Sequence, residues 1–99
     1  MSFLRNLLGL GPKVDVKELV SNGASIIDVR TSGEFKAGHP KNAINIPLDQ
    51  ISNKVSKVQS MKQPIVVCCQ SGMRSGQAAR ILKSNGIEAY NAGSWTKLR

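Results

Sequence analysis

The sequence predicts an α/β domain: a mostly parallel sheet of short strands with helices on both faces. Three observations predict it. Short apolar, β-branched segments alternate with segments of helical periodicity. The most strand-like of them, Ile65-Val66-Val67-Cys68, is apolar without a break, as in a strand covered on both faces. A length of 99 residues suits one core and leaves no room for a second domain, so any site must come from the domain's own loops.

The elements follow in order. An apolar segment, residues 1–13, precedes the domain expected over 14–99. Phe3, Leu4, Leu7, Leu8 and Leu10 are spaced as on a short amphipathic helix, too short for a transmembrane segment and without a signal-peptide cleavage pattern. Residues 15–22 read as a helix, with Asp15 and Glu18 at capping-box spacing and Gly23 as the stop. Residues 25–29 read as a buried strand. Residues 31–38 read as a turn with one helical turn around Glu34 and Phe35. Residues 43–46 form a second strand, ended by Pro47. Leu48, Ile51, Val55 and Val58 recur at spacings of three and four, one apolar face of a helix. Pro64 breaks the chain before the strand at 65–68. Residues 75–85 read as a helix with Ala78, Ala79, Ile81 and Leu82 inward, stopped by Gly86. Residues 87–90 form a last strand, and Trp95 opens a final short helix.

Fourteen Lys and Arg against six Asp and Glu leave a formal charge of +8, a surface that attracts anions. The lysines are scattered rather than clustered and only four side chains are aromatic, so small anions fit this pattern better than nucleic acid. The two cysteines, Cys68 and Cys69, are adjacent. That spacing disfavours a mutual disulfide, and with a single histidine elsewhere it is a poor zinc signature. The expectation is a cytoplasmic monomer with no metal and no cofactor.

In parallel α/β sheets, ligands sit at the carboxyl ends of strands, in the loops that lead into helices. Cys69-Gln70-Ser71-Gly72-Met73-Arg74-Ser75 is such a loop. Successive backbone N–H groups in it can form an anion nest, the following helix adds the positive end of its dipole, and Arg74 adds a full charge. Each favours a thiolate, so Cys69 is the candidate nucleophile. Gly72 lets the backbone bend. Cys68 continues the apolar run and reads as an inert core residue.

Three segments, in order and at compatible spacing, resemble the single-domain rhodanese (thiosulfate sulfurtransferase) family. They are Ile26-Ile27-Asp28-Val29-Arg30; Glu34-Phe35, Gly38-His39 and Ala43-Ile44-Asn45-Ile46-Pro47; and Val66 through Ser75. The resemblance spans about residues 14–95. It implies a parallel sheet of about five strands, and Cys69 as a nucleophile that becomes a persulfide. It implies that Gln70, Ser71, Gly72, Met73, Arg74 and Ser75 form the substrate-binding loop and helix start. It also implies that Asp28 and Arg30 brace the structure near the site. His39 is read as structural. The chain departs from the family at Pro40-Lys41-Asn42, where Ile-Pro-Gly is common, and at Gly93-Ser94, where a Gly-Gly pair is common.

The implied activity moves a sulfane sulfur from a small anionic donor such as thiosulfate to a thiol, a protein cysteine or cyanide. Two alternatives stand beside it. One is a persulfide carrier or protein-binding module. The other is a cysteine-dependent phosphatase or arsenate reductase, disfavoured because Cys69 and Arg74 enclose four residues where phosphate loops typically place five.

Overall fold

A computed structural model describes residues 14–99, so the apolar segment expected over 1–13 lies outside the described residues. Helix α1 is Val16–Ser21, capped by the Asp15 carboxylate, which accepts from the backbone N–H of Lys17 and Glu18. Strand β1 is Ser25–Asp28 and helix α2 is Ser32–Ala37. Strand β2 is the short pair Ile44–Asn45. A 3-10 helix over Leu48–Lys54 runs into α3, Val55–Gln59. Strand β3 is Ile65–Cys69, helix α4 is Met73–Ser84, and strand β4 is Ala89–Ser94, followed by a 3-10 turn at Trp95–Lys97. No helix among the described residues is long and apolar enough to cross a membrane.

The sheet is wholly parallel, in the order β2-β1-β3-β4. Four strands are present among the described residues, not the five expected from the resemblance. β3 is central, and all five of its residues are buried. Successive side chains on a strand point to opposite faces. Ile65, Val67 and Cys69 therefore enter one core, with Ile51, Val58, Ala78, Ala79 and Leu82, while Val66 and Cys68 enter the other. The second core is closed by Val16, Leu19 and Val20 of α1 and by Trp95 and Leu98. This two-sided burial is why β3 carries no polar alternation.

The structure differs from the sequence reading in four elements. The segment 31–38 is helical over Ser32–Ala37, beyond the single helical turn expected, because Thr31 and Glu34 form a reciprocal capping box that satisfies its first N–H groups. The periodic face at 48–58 begins as a 3-10 helix, with Gln50 N–H bonded to the Pro47 carbonyl at 2.8 Å, before becoming α-helical. Its spacing still buries Ile51 and Val58. Helix α4 starts two residues earlier than expected, at Met73. Strand β4 lies later than 87–90 and runs through Asn91, Ala92 and Gly93. Asn and Gly are poor strand formers, and the pairing with β3 accommodates them through an irregularity: Val67 pairs with Asn91 but Cys68 with Gly93.

Candidate active site

β3 ends at Cys69 on the carboxyl edge of the sheet, and the chain turns through Gln70, Ser71 and Gly72 into α4. Gly72 sits at φ +104°, in the left-handed region that side chains oppose. A Cβ there would also lie 3.3 Å from the Gly93 Cα of β4. The turn so formed aims the Gly72 N–H at the Cys69 Sγ, 2.9 Å away. On the other side the Ser75 Oγ, from the first turn of α4, lies 3.2 Å from the sulfur.

Burial of Cys69 pushes its thiol up. The Ser75 hydroxyl and the backbone N–H groups of Ser75, Gly72 and Ser71 outweigh burial, and the net shift is downward. Cys68, one residue earlier, is pushed up to about 12, first by burial and then by the Asp28 carboxylate. Two adjacent thiols on one strand thus differ in ionisation because they enter opposite sides of the sheet. Both are free. Their opposed directions keep them from bridging without breaking the strand.

The remaining loop residues divide sharply. Gln70 and Ser71 are exposed, and Met73 is 79% exposed at the tip. Ser75 is buried. Arg74 forms a forked pair with Glu34 of α2, at 2.7 and 3.1 Å. Arg74 and the N–H and hydroxyl groups of Thr31 hold the Glu34 carboxyl at about 2. The guanidinium that the sequence offered to the thiolate is thus hydrogen-bonded to a carboxylate, and the lowering at Cys69 is led by N–H and O–H dipoles.

Asp28 and Arg30 form a buried ion pair at 2.7 Å. The Arg30 Nε donates to both Asp28 oxygens, its Nη2 also donates to the Gly38 carbonyl at 2.6 Å, and its guanidinium lies 4.7 Å from the Trp95 ring centroid. This pair ties β1, the end of α2 and the C-terminal turn together. His39 stacks on Phe35 at 3.7 Å, with its Nδ1 2.7 Å from the Phe35 carbonyl, a structural setting.

Two contributors escaped the sequence reading. Glu34 had a usable signal, since Thr31 and Glu34 have capping-box spacing, but its pairing with Arg74 spans 40 positions. Asn91 had none: it lies 16 positions from Ser75, just past the strand expected over 87–90.

A family model described as a rhodanese-like domain matches residues 13–98. YqhL of Bacillus subtilis, an uncharacterised protein, is 44% identical over 69 residues, 69% of this chain and 54% of that one. The thiosulfate sulfurtransferase PspE of Escherichia coli is 36% identical over 69 residues, 68% of this chain and 66% of that one. The chain thus spans about half of YqhL and two thirds of PspE. Among solved structures, the human single-domain sulfurtransferase TSTD1 superposes with a TM-score of 0.70 at 28% identity, over 88% of this chain and 94% of that one.

Proposed function

The chain belongs to the rhodanese-like domain family, and on that premise we propose that it is a sulfurtransferase in which Cys69 carries the transferable sulfur as a persulfide. One observation carries the reading: the Cys69 sulfur, at the end of the central strand, receives a backbone N–H at 2.9 Å and lies 3.2 Å from a hydroxyl. Dipoles placed this way stabilise negative charge on a sulfur without a metal or a fixed cation.

The reaction has two halves. The Cys69 thiolate attacks the outer sulfur of thiosulfate; the S–S bond to the sulfonate sulfur breaks, sulfite leaves with the electron pair, and the enzyme holds a persulfide anion. An acceptor thiolate then attacks the outer sulfur, the persulfide bond breaks, and the Cys69 thiolate is restored. A small thiol or a protein cysteine serves as acceptor. Cys69 is fully buried, so the turn from Gln70 to Gly72 opens to admit the donor. The phosphatase alternative is less well supported, because the one loop arginine is held by Glu34.

Incubation of the reduced protein with thiosulfate, followed by intact-mass measurement, tests this. The wild type gains one sulfur atom and a Cys69→Ser variant gains none. A folded, reduced wild type that gains no mass with thiosulfate or with a persulfide donor would falsify the proposal.

A further inference from the structure

Asn91 makes three hydrogen bonds around the reactive loop. Its Nδ2 donates to the Gly72 carbonyl at 3.0 Å. Its Oδ1 accepts from the Gly93 N–H at 2.8 Å and from the Ser75 hydroxyl at 2.6 Å. A carbonyl can only accept and a backbone N–H can only donate, so the two backbone bonds set which way the amide faces. Space for it is made by glycine: a Cβ at Gly76 would lie 3.3 Å from the Asn91 Nδ2.

Ser75 has one hydroxyl hydrogen and two neighbours that want it. While it points to Asn91, the Cys69 thiol must supply the hydrogen of the Ser75–Cys69 contact. When Cys69 loses its proton, the sulfur can only accept, and its bond to Ser75 survives only if the Ser75 hydrogen turns to it, leaving the Asn91 oxygen with Gly93 alone. We propose that Asn91 is a positioning residue for the Cys69 sulfur: it anchors the Gly72 turn and competes with the thiolate for the Ser75 hydrogen. In the persulfide, the charge moves to the outer sulfur and the Ser75 hydrogen returns to Asn91. That last step rests on the persulfide reading above; the competition itself does not.

Other ionisable groups lie on the elements around the sulfur. They are Cys68 on β3, Arg74, Arg80 and Lys83 on α4, Asp28 and Arg30 at β1, Glu34 on α2, Tyr90 on β4, Asp49 and Lys54 in the 3-10 helix, and Lys97, whose ammonium reaches Gly93. Arg74, Asp28–Arg30 and Tyr90 are engaged by Glu34, by each other and by Glu88. The test therefore measures coupling, in which constant background charge cancels.

The Cys69 titration is read from the pH dependence of iodoacetamide alkylation, scored by mass spectrometry of the Cys69 peptide. It is measured with and without Ser75→Ala in three backgrounds: wild type, Asn91→Ala and Asn91→Asp. Ser75→Ala raises the Cys69 pKa in each. The rise in acid constant ratio is about threefold or more larger in the Asn91→Ala background, the weight of one neutral hydrogen bond. It is smaller than in wild type in the Asn91→Asp background, where a carboxylate holds the hydroxyl harder. An equal Ser75→Ala shift in all backgrounds overturns the proposal. If Asn91→Ala does not fold, the nearly isosteric Asn91→Asp decides alone. The assay needs no sulfur donor, so its failure is distinguishable from failure of the persulfide reading.

Discussion

Replacing Arg30 by Met separates bracing from chemistry at the buried pair beside the site. The change keeps an apolar stem but removes three N–H contacts to the Asp28 carboxylate, at 2.9, 3.1 and 2.7 Å. Asp28 is fully buried, and its remaining N–H partner is the backbone of residue 30 at 3.1 Å. Breaking a buried pair from one side costs about 3–5 kcal/mol. Typical domain stabilities are about 5–15 kcal/mol, so the variant loses a large share of its stability. For a domain of this size the thermal midpoint falls by roughly 12 °C or more. The assay is urea unfolding followed by circular dichroism, with sulfur uptake per folded molecule measured in parallel. A loss of about 3 kcal/mol or more with sulfur uptake retained is the expected pair of results. A loss below about 1 kcal/mol, within the range of an exposed pair, would refute the bracing argument. Abolished uptake in a stably folded variant would move Arg30 from brace to site. Removing both charges together, as Asp28→Leu with Arg30→Met, recovers part of the loss, because no carboxylate is left buried alone.

Two further predictions concern the loop. The Glu34 carboxyl, held at about 2 by the Arg74 guanidinium and Thr31, lies below its ordinary value. Its contribution to stability is therefore present above pH ~4.3 and is lost as pH falls toward 2. The pair is half-exposed, so the difference between wild type and Glu34→Gln is under about 1 kcal/mol. A Glu34 carboxyl titration that does not move when Arg74 is replaced by Met would contradict the pairing. Gly72→Ala places a side chain at φ +104° and against Gly93. It destabilises by at least about 1 kcal/mol and stops sulfur uptake by turning the N–H of residue 72 off the sulfur; unchanged uptake would sink the nest argument.

The structure and the sequence agree where the signal is local. The unbroken run at 65–68 forms the central strand because both of its faces are covered, and the small residues Ala78 and Ala79 let α4 lie against the sheet. Asp15 caps α1 by accepting from the N–H groups of Lys17 and Glu18, the Asp15 half of the capping box its spacing predicts. Thr31 and Glu34 carry a capping-box signal that extends the single helical turn read around Glu34 and Phe35 into the helix Ser32–Ala37.

By itself, then, the sequence determined the parallel α/β class, the central strand, the loop that follows it and the cysteine at their junction, since strand burial, helix caps and glycine turns act over a few residues. Only the tertiary structure decided that Arg74 pairs with Glu34 and that Asn91 holds the Ser75 hydroxyl. Those outcomes depend on partners 16 and 40 positions away. Hydrogen bonds and ion pairs at that separation leave no period or spacing in the chain; they exist once packing has brought β4 and α2 to the edge where β3 ends.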